Sequence, residues 1–116
     1  MLLLRTCLNL TEIPEGDPVK VHAGDQLVVL VRIGRKVWAI SPYCPHKGAD
    51  IWKGDVINEK IRCYLHGYIY DLNTGRPVFV PYPEKYGKWR ETGNLVEFPV
   101  SEEGEQVCVT ISGPSQ

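Results

Sequence analysis

Apolar residues along this chain fall into short runs rich in β-branched side chains, separated by turn-forming residues roughly every ten positions. No run repeats its apolar residues at the 3.6-residue spacing of an amphipathic helix. The pattern therefore predicts an all-β fold. The predicted strands are Leu3–Leu8, Val19–His22, Leu27–Ile33, Val37–Ile40, Val56–Ile57, Lys60–Cys63, Tyr68–Asp71, Leu95–Pro99 and Val107–Ile111.

Two segments predict hairpins. The first is "QLVVLVRI", "GRK" and "VWAI", in which Leu27–Val31 is apolar on both faces, as a central strand covered on both sides would be. The second runs from Lys60 to Asp71 and has "CYLHG" at its bend. Beyond it, Pro77, Pro81 and Pro83 predict an irregular segment, and residues 84–94 predict an exposed loop.

Composition narrows the range of functions. A chain of 116 residues, 43% of them hydrophobic and 23% charged, predicts one globular domain over residues 1–116. The formal charge of −1 and the lack of a basic run exclude nucleic acid as the main partner. The apolar run in "MLLLRTC" has only three leucines before Arg5, which is too short for a signal peptide, and no stretch is long and apolar enough to span a bilayer. We therefore expect a cytoplasmic protein.

Candidate chemistry lies in two Cys/His pairs, both in loops at strand ends. Cys44 and His46 occur in "CPHKG", and Cys63 and His66 occur in "CYLHG". Two thiols and two imidazoles suit either a structural zinc ion or an iron–sulfur cluster. Zinc fingers of the two-Cys, two-His kind take both cysteines from one element, whereas each loop here supplies one of each, and this order favours the cluster.

The remaining cysteines, Cys7 and Cys108, lie in apolar runs near opposite ends of the chain. Pairing of the terminal strands would bring them close together. In a reducing cytosol, however, such residues are expected to be inert core thiols.

"CPHKGADI" followed by "CYLHGYIYDLNTG" resembles the Rieske family, whose pattern is Cys-x-His in one loop and Cys-x-x-His-Gly in another. The resemblance covers about residues 3–111. It implies an antiparallel β-sandwich with a small cluster-binding subdomain, built from loops at about 41–50 and 63–68. One [2Fe–2S] cluster is then expected, with Cys44 and Cys63 on one iron and His46 and His66 on the other.

The resemblance implies a one-electron carrier between a reductase and a terminal oxidoreductase, both transient protein partners. The sequence shows no nucleophile–base pair, so we expect no enzyme activity of its own. Two alternatives stay open at this point. The chain is a small Rieske subunit of a larger oxygenase or nitrite-reductase-type enzyme, or it is a zinc-held β interaction module.

High-potential Rieske proteins carry an extra cysteine in each cluster loop and a serine after the second His-Gly, and this sequence has neither. The resemblance thus implies a potential in the low half of the family range of roughly −150 to +300 mV. Tyr70 argues the other way, because it matches a tyrosine that hydrogen-bonds a ligating sulfur in high-potential members. The hypothesis is that its hydroxyl donates to the Cys44 sulfur, and the alternative is a core tyrosine whose hydroxyl bonds elsewhere.

Aromatic residues and the surface near the cluster complete the expectations. Trp38 is expected in the core, Trp52 beneath the first cluster loop, and Trp89 in the loop at 84–94 as an anchor or a docking contact. The tip that meets the redox partners is predicted to include the two histidines and their neighbours, namely Pro45, Lys47, Leu65 and Pro81.

Overall fold

A computed structural model describes residues 3–45, 50–64, 67–80 and 93–112 of the chain. Within these residues the secondary structure consists of β-strands and two short 3-10 turns, so the all-β prediction is confirmed. The strands are β1 (Leu3–Asn9), β2 (Val19–Ala23), β3 (Gln26–Ile33), β4 (Lys36–Ile40), β5 (Asp55–Ile57), β6 (Lys60–Arg62), β7 (Ile69–Asp71), β8 (Pro77–Phe79), β9 (Glu97–Phe98), β10 (Val100–Glu103) and β11 (Gln106–Ser112). The turns are Leu10–Glu12 and Ile51–Lys53.

The strands form three antiparallel sheets. The terminal sheet has the order β1-β11-β10, the middle sheet β2-β3-β4-β9, and the third sheet β5-β6-β7-β8. We call the third one the loop sheet, because β6 leads into the second Cys/His loop. Both predicted hairpins are confirmed, since β3 pairs with β4 and β6 pairs with β7.

Strand β3 is covered on both sides, as its apolar run predicts. Val28 and Leu30 pack into a core shared with the terminal sheet, while Val29 and Val31 pack into a core shared with the loop sheet. All four side chains are fully buried. Each contributes about 1.5–3 kcal/mol of transfer free energy, and the strand therefore stabilises both cores.

A polar junction also joins the middle sheet to the loop sheet. The Asn73 Oδ1 atom accepts hydrogen bonds from Trp38 Nε1 at 3.3 Å and from Lys36 Nζ at 3.2 Å, and Asn73 Nδ2 donates to Glu59 Oε1 at 2.7 Å. The bonds from Asn73 and Lys36 lower the pKa of Glu59. Trp38 is buried in the core as predicted, and its indole N–H finds its partner at this junction.

Two strands were not predicted. The Pro77–Phe79 segment, expected to be irregular, forms β8 at an edge of the loop sheet, where proline is tolerated as the first residue because its missing N–H breaks no ladder bond. The Val100–Glu103 segment is too polar to give a strand signal, yet it forms β10 at an edge of the terminal sheet. The predicted loop at 84–94 lies almost entirely outside the described residues.

The expectation for Cys7 and Cys108 was wrong. The two residues are direct partners in the register of β1 and β11, their Cα atoms are 4.1 Å apart, and they form a disulfide. Alternation along β11 explains the error, because Val107 and Val109 point into the core while Cys108 points to the opposite face of the sheet. Cys7 is exposed to solvent.

Candidate metal centre

The first Cys/His loop leaves the middle sheet at the end of β4. Its base is closed by a β-bridge between Tyr43 and Asp50 and by a hydrogen bond from the backbone N–H of Ile51 to the carbonyl oxygen of Pro42, at 2.9 Å. Cys44 stands just inside this closed base and is 1% exposed. His46, together with Lys47 and Gly48, lies outside the described residues.

The second loop joins β6 to β7 and is folded back on itself. The backbone N–H of Cys63 donates to the carbonyl oxygen of Tyr68 at 2.7 Å, and the N–H of Gly67 donates to the carbonyl oxygen of Cys63 at 3.0 Å. Gly67 has a φ of +81°, which lies in the left-handed region that glycine adopts without steric cost. Cys63 is 1% exposed, while Leu65 and His66 lie outside the described residues.

The fold brings the two predicted cysteines into one core. Cys44 and Cys63 are thiols, both buried, and both belong to the cluster of apolar side chains between the middle sheet and the loop sheet. Tyr68 and Tyr70 belong to the same core and stack at 6.4 Å between ring centroids. Thiols excluded from water in this way suit the thiolate side of a metal site.

The predicted contact of Tyr70 is confirmed. The Tyr70 hydroxyl oxygen lies 3.6 Å from the Cys44 sulfur, within hydrogen-bond distance for a sulfur atom, and both side chains are almost wholly buried. Because β6 and β7 pair antiparallel, Tyr70 is placed opposite Ile61 on the buried face of the hairpin. Its ring is therefore held on the same side as the two thiols.

Gly54, which the sequence pattern indicates only as a turn-former beside Asp55, sets the two loops against each other. Gly54 ends the Ile51–Lys53 turn, and a Cβ atom at this position would lie 1.9 Å from the carbonyl oxygen of Arg62, the residue before Cys63. Only a residue without a side chain permits this approach. The available signal was a glycine directly before an isolated strand, which is common and so indicates little by itself.

Aromatic side chains surround the site at the surface. Tyr43 and Tyr64, each adjacent in sequence to one of the thiols, are about half exposed. Trp52 packs against the core that contains Cys44, in keeping with its predicted place near the first loop. The ammonium groups of Lys20 and Lys53 lie over its ring, at 4.0 and 5.4 Å from the centroid.

The residues that the structure describes form no helix that is long and apolar enough to cross a membrane.

The two buried thiols, Cys44 and Cys63, fit the cysteine half of the predicted set of metal ligands. Thiolates serve zinc and iron–sulfur clusters alike, so this geometry alone does not separate the two metals.

Comparisons with known proteins distinguish the iron–sulfur cluster from zinc. The family model of the Rieske [2Fe–2S] domain matches residues 6–99. The ferredoxin component of a naphthalene 1,2-dioxygenase system from Pseudomonas aeruginosa is 30% identical over 89% of this chain and 90% of its own length. The ferredoxin subunit of an anthranilate 1,2-dioxygenase from Burkholderia cepacia is 32% identical over 63% of this chain and 68% of its own.

A solved structure agrees with these matches. The ferredoxin of carbazole 1,9a-dioxygenase from Nocardioides aromaticivorans superposes with a TM-score of 0.74 at 26% identity, covering 94% of this chain and 97% of its own. The chain therefore belongs to the Rieske [2Fe–2S] family, and it is a one-electron carrier with one cluster per chain that passes electrons between a reductase and a terminal oxidoreductase.

Proposed function

We propose that Cys44, His46, Cys63 and His66 hold the cluster, and that residues 1–116 form a single domain in which loops 41–50 and 63–68 carry these ligands. The observation that supports the proposal is the burial of both thiols, 1% exposed, in one core behind the two loops. When bound, a [2Fe–2S] cluster accepts and releases one electron. The protein excludes water from the thiolate side and offers the Tyr70 hydroxyl to the Cys44 sulfur.

The proposed electron acceptor is the terminal oxygenase of an aromatic-ring dioxygenase system, and the proposed donor is that system's reductase. Support comes from the near full-length similarity to a naphthalene 1,2-dioxygenase ferredoxin component. We place this exchange in the cytoplasm, with proteins as partners, since the net charge of −1 offers no attraction to nucleic acid.

Ligand substitutions test the proposed site. The purified chain is expected to contain about two iron and two acid-labile sulfide per chain, and Cys44→Ser, Cys63→Ser, His46→Ala and His66→Ala should each lose them. His22→Ala is the matched control, because His22 is an exposed residue of β2. A colourless protein containing zinc, or ligand variants that keep full iron and sulfide, would overturn the assignment.

Electron paramagnetic resonance distinguishes the ligand types. The reduced chain should show hyperfine coupling to imidazole nitrogen, which a cluster held by four cysteines lacks. The acceptor is tested by stopped-flow mixing of the reduced chain with the terminal oxygenase of the naphthalene system. Reoxidation at a rate proportional to oxygenase concentration is expected. Lack of reoxidation, with the cluster intact, would reject this acceptor and leave the electron-carrier assignment standing.

A further inference from the structure

The outer face of the terminal sheet carries a second redox-active group, the Cys7–Cys108 disulfide. It joins β1 to β11, and it lies on the side of β11 opposite to the core residues Val107 and Val109. The two sulfur-bearing residues differ in accessibility, since Cys7 is exposed whereas Cys108 is 1% exposed. This asymmetry determines how a thiol can reach the bond.

A thiolate attacks a disulfide along the S–S axis, from the side away from the departing sulfur. Cys7 and Cys108 are register partners, so the axis crosses from β11 to β1. In the order β1-β11-β10, strand β1 is at the edge of the sheet, so a thiolate that attacks Cys7 along this axis arrives from the solvent beyond β1. A thiolate that attacks Cys108 along the same axis would have to arrive over β10.

Polar side chains of the two neighbouring strands flank the position of Cys108. Ser101 of β10 is its other register partner. Arg5 on β1 forms an ion pair with Glu103 on β10, and this pair bridges the two strands that flank β11. The Ser101 hydroxyl also donates to Glu103 Oε2, at 3.2 Å. Ser101 and Glu103 share the face of the sheet that carries Cys108, and they lie on the side from which a thiol would approach over β10.

We propose that the Cys7–Cys108 disulfide is a site of thiol–disulfide exchange, opened in the folded protein by a thiol or dithiol reductant that attacks Cys7 Sγ. The new S–S bond joins the reductant to Cys7, while the old bond breaks with its electron pair on Cys108 Sγ, which takes up a proton. A second thiol then attacks the reductant sulfur of the mixed disulfide, releasing the oxidised reductant and the Cys7 thiol. Two electrons pass from two thiols to the disulfide.

Opening the bond is expected to affect stability and leave the cluster site unchanged. The bond closes a ring that spans 101 positions of sequence and includes all four proposed ligands, so its loss enlarges the conformational freedom of the unfolded chain. In the native state, the backbone pairing of β1 with β11 over Leu3–Asn9 remains. Cys44 and Cys63 belong to the other core, beyond the middle sheet.

The proposed cytoplasmic location agrees with this chemistry. Disulfides are rare in a reducing cytosol, and those that occur there are usually transient or redox-sensing. A bond with one exposed cysteine on an edge strand is open to such exchange, whereas a bond between two buried cysteines would need the protein to unfold first.

Kinetics of reduction test the proposal on the oxidised holoprotein. Dithiothreitol is added at several concentrations, samples are quenched with iodoacetamide, and mass spectrometry reports carbamidomethylation of Cys7 and Cys108, with cluster absorbance recorded in parallel. The expected rate is proportional to dithiothreitol concentration, with cluster absorbance unchanged. A rate independent of concentration, or no reduction, would show that the bond opens only on unfolding and would overturn the proposal.

Single-cysteine variants test the direction of attack. In Cys108→Ser the remaining Cys7 should take up glutathione from oxidised glutathione, whereas in Cys7→Ser the remaining Cys108 should react at least about tenfold more slowly. Cluster absorbance of both variants verifies that they are folded. Equal rates, or faster reaction at Cys108, would contradict the assignment of Cys7 as the point of entry.

Thermal unfolding tests the effect on stability. Reduced holoprotein should unfold about 15 °C below oxidised holoprotein, from the length of the closed ring. Cys7→Ser should unfold at the temperature of the reduced protein in the presence and absence of dithiothreitol. Identical melting temperatures for the oxidised and reduced protein would refute the stabilising part of the proposal.

Discussion

The hydroxyl of Tyr70 offers a direct test of how this protein sets the potential of its cluster. Its oxygen lies 3.6 Å from the Cys44 sulfur in a core that excludes water. As a proposed metal ligand, Cys44 is a thiolate and has no proton to give, so the tyrosine must donate. Tyr70→Phe removes that donor while it keeps the ring and its stacking on Tyr68.

The size of the effect follows from the charge of the two redox states. Reduction adds one negative charge to the cluster and its thiolates, and a donated hydrogen bond stabilises the more negative state further. If the bond is stronger by about 1 kcal/mol in the reduced state, a one-electron potential rises by roughly 40 mV. Tyr70→Phe should therefore lower the potential by about that amount.

The assay is a redox titration followed by electron paramagnetic resonance on both proteins. Tyr43→Phe serves as the matched control, because Tyr43 precedes Cys44 in sequence but is about half exposed, and its potential should match that of the wild type. A Tyr70→Phe potential equal to wild type, or higher, would refute the reasoning. A shift in the control of the same size would show that the assay reports a general effect of removing a tyrosine hydroxyl.

Three further substitutions test the supports of the site. Asn73→Ala should lower the free energy of unfolding by about 1–3 kcal/mol, because it leaves the Trp38 indole N–H without its acceptor. The same substitution in a Trp38→Phe background, which has no indole N–H, should cost less. Chemical denaturation measures both, and equal losses would contradict this account. Gly54→Ala should lower the free energy of unfolding by about 3 kcal/mol or more and reduce the iron content, because its Cβ would meet the Arg62 carbonyl oxygen. Gly34→Ala is the control and should lower it by only about 1 kcal/mol, since Gly34 has a φ of +64° but no atom near the added Cβ. A larger loss at Gly34 than at Gly54 would be incompatible with a close approach at Gly54. Asp55→Ala should lower the free energy of unfolding by less than about 1 kcal/mol, because both side chains of its ion pair with Arg62 are exposed. A larger loss in thermal unfolding would assign a structural role to this pair, whose arginine precedes Cys63.

Local patterns sufficed to predict most strands and the two Cys/His loops, because an apolar run and a Cys/His motif each lie within a few residues of sequence. The double-sided run of β3 predicted a strand covered on both faces, and the structure confirms it. The order of cysteine and histidine within each loop predicted the family, which the comparisons confirm. The predicted contact between Tyr70 and Cys44 rested on the family resemblance, since no local pattern joins residues 26 positions apart.

The errors arise where the structure depends on partners distant in sequence. An apolar run shows that a strand exists, but it does not show which residue of a remote strand lies opposite each position. Cys7 and Cys108 are register partners across 101 positions, and the two strands had to be paired before their disulfide could be recognised. The close approach at Gly54 is hidden for the same reason, because its neighbour Arg62 is on a different strand.

The two redox groups of this chain lie in separate halves of the fold. The thiols of the proposed cluster site pack between the middle sheet and the loop sheet, while the disulfide lies on the outer face of the terminal sheet. Strand β3 contributes side chains to both cores, yet Val28 and Leu30 face one and Val29 and Val31 face the other. Strand β4 likewise places Ala39 in one core and Trp38 and Ile40 in the other. A packing change on the disulfide side would reach the cluster side by displacing these strands. Close-packed interiors resist such displacement. The disulfide, proposed above as a site of two-electron exchange, is thus separated from the cluster site by the middle sheet, and we expect its reduction to leave the cluster potential unchanged.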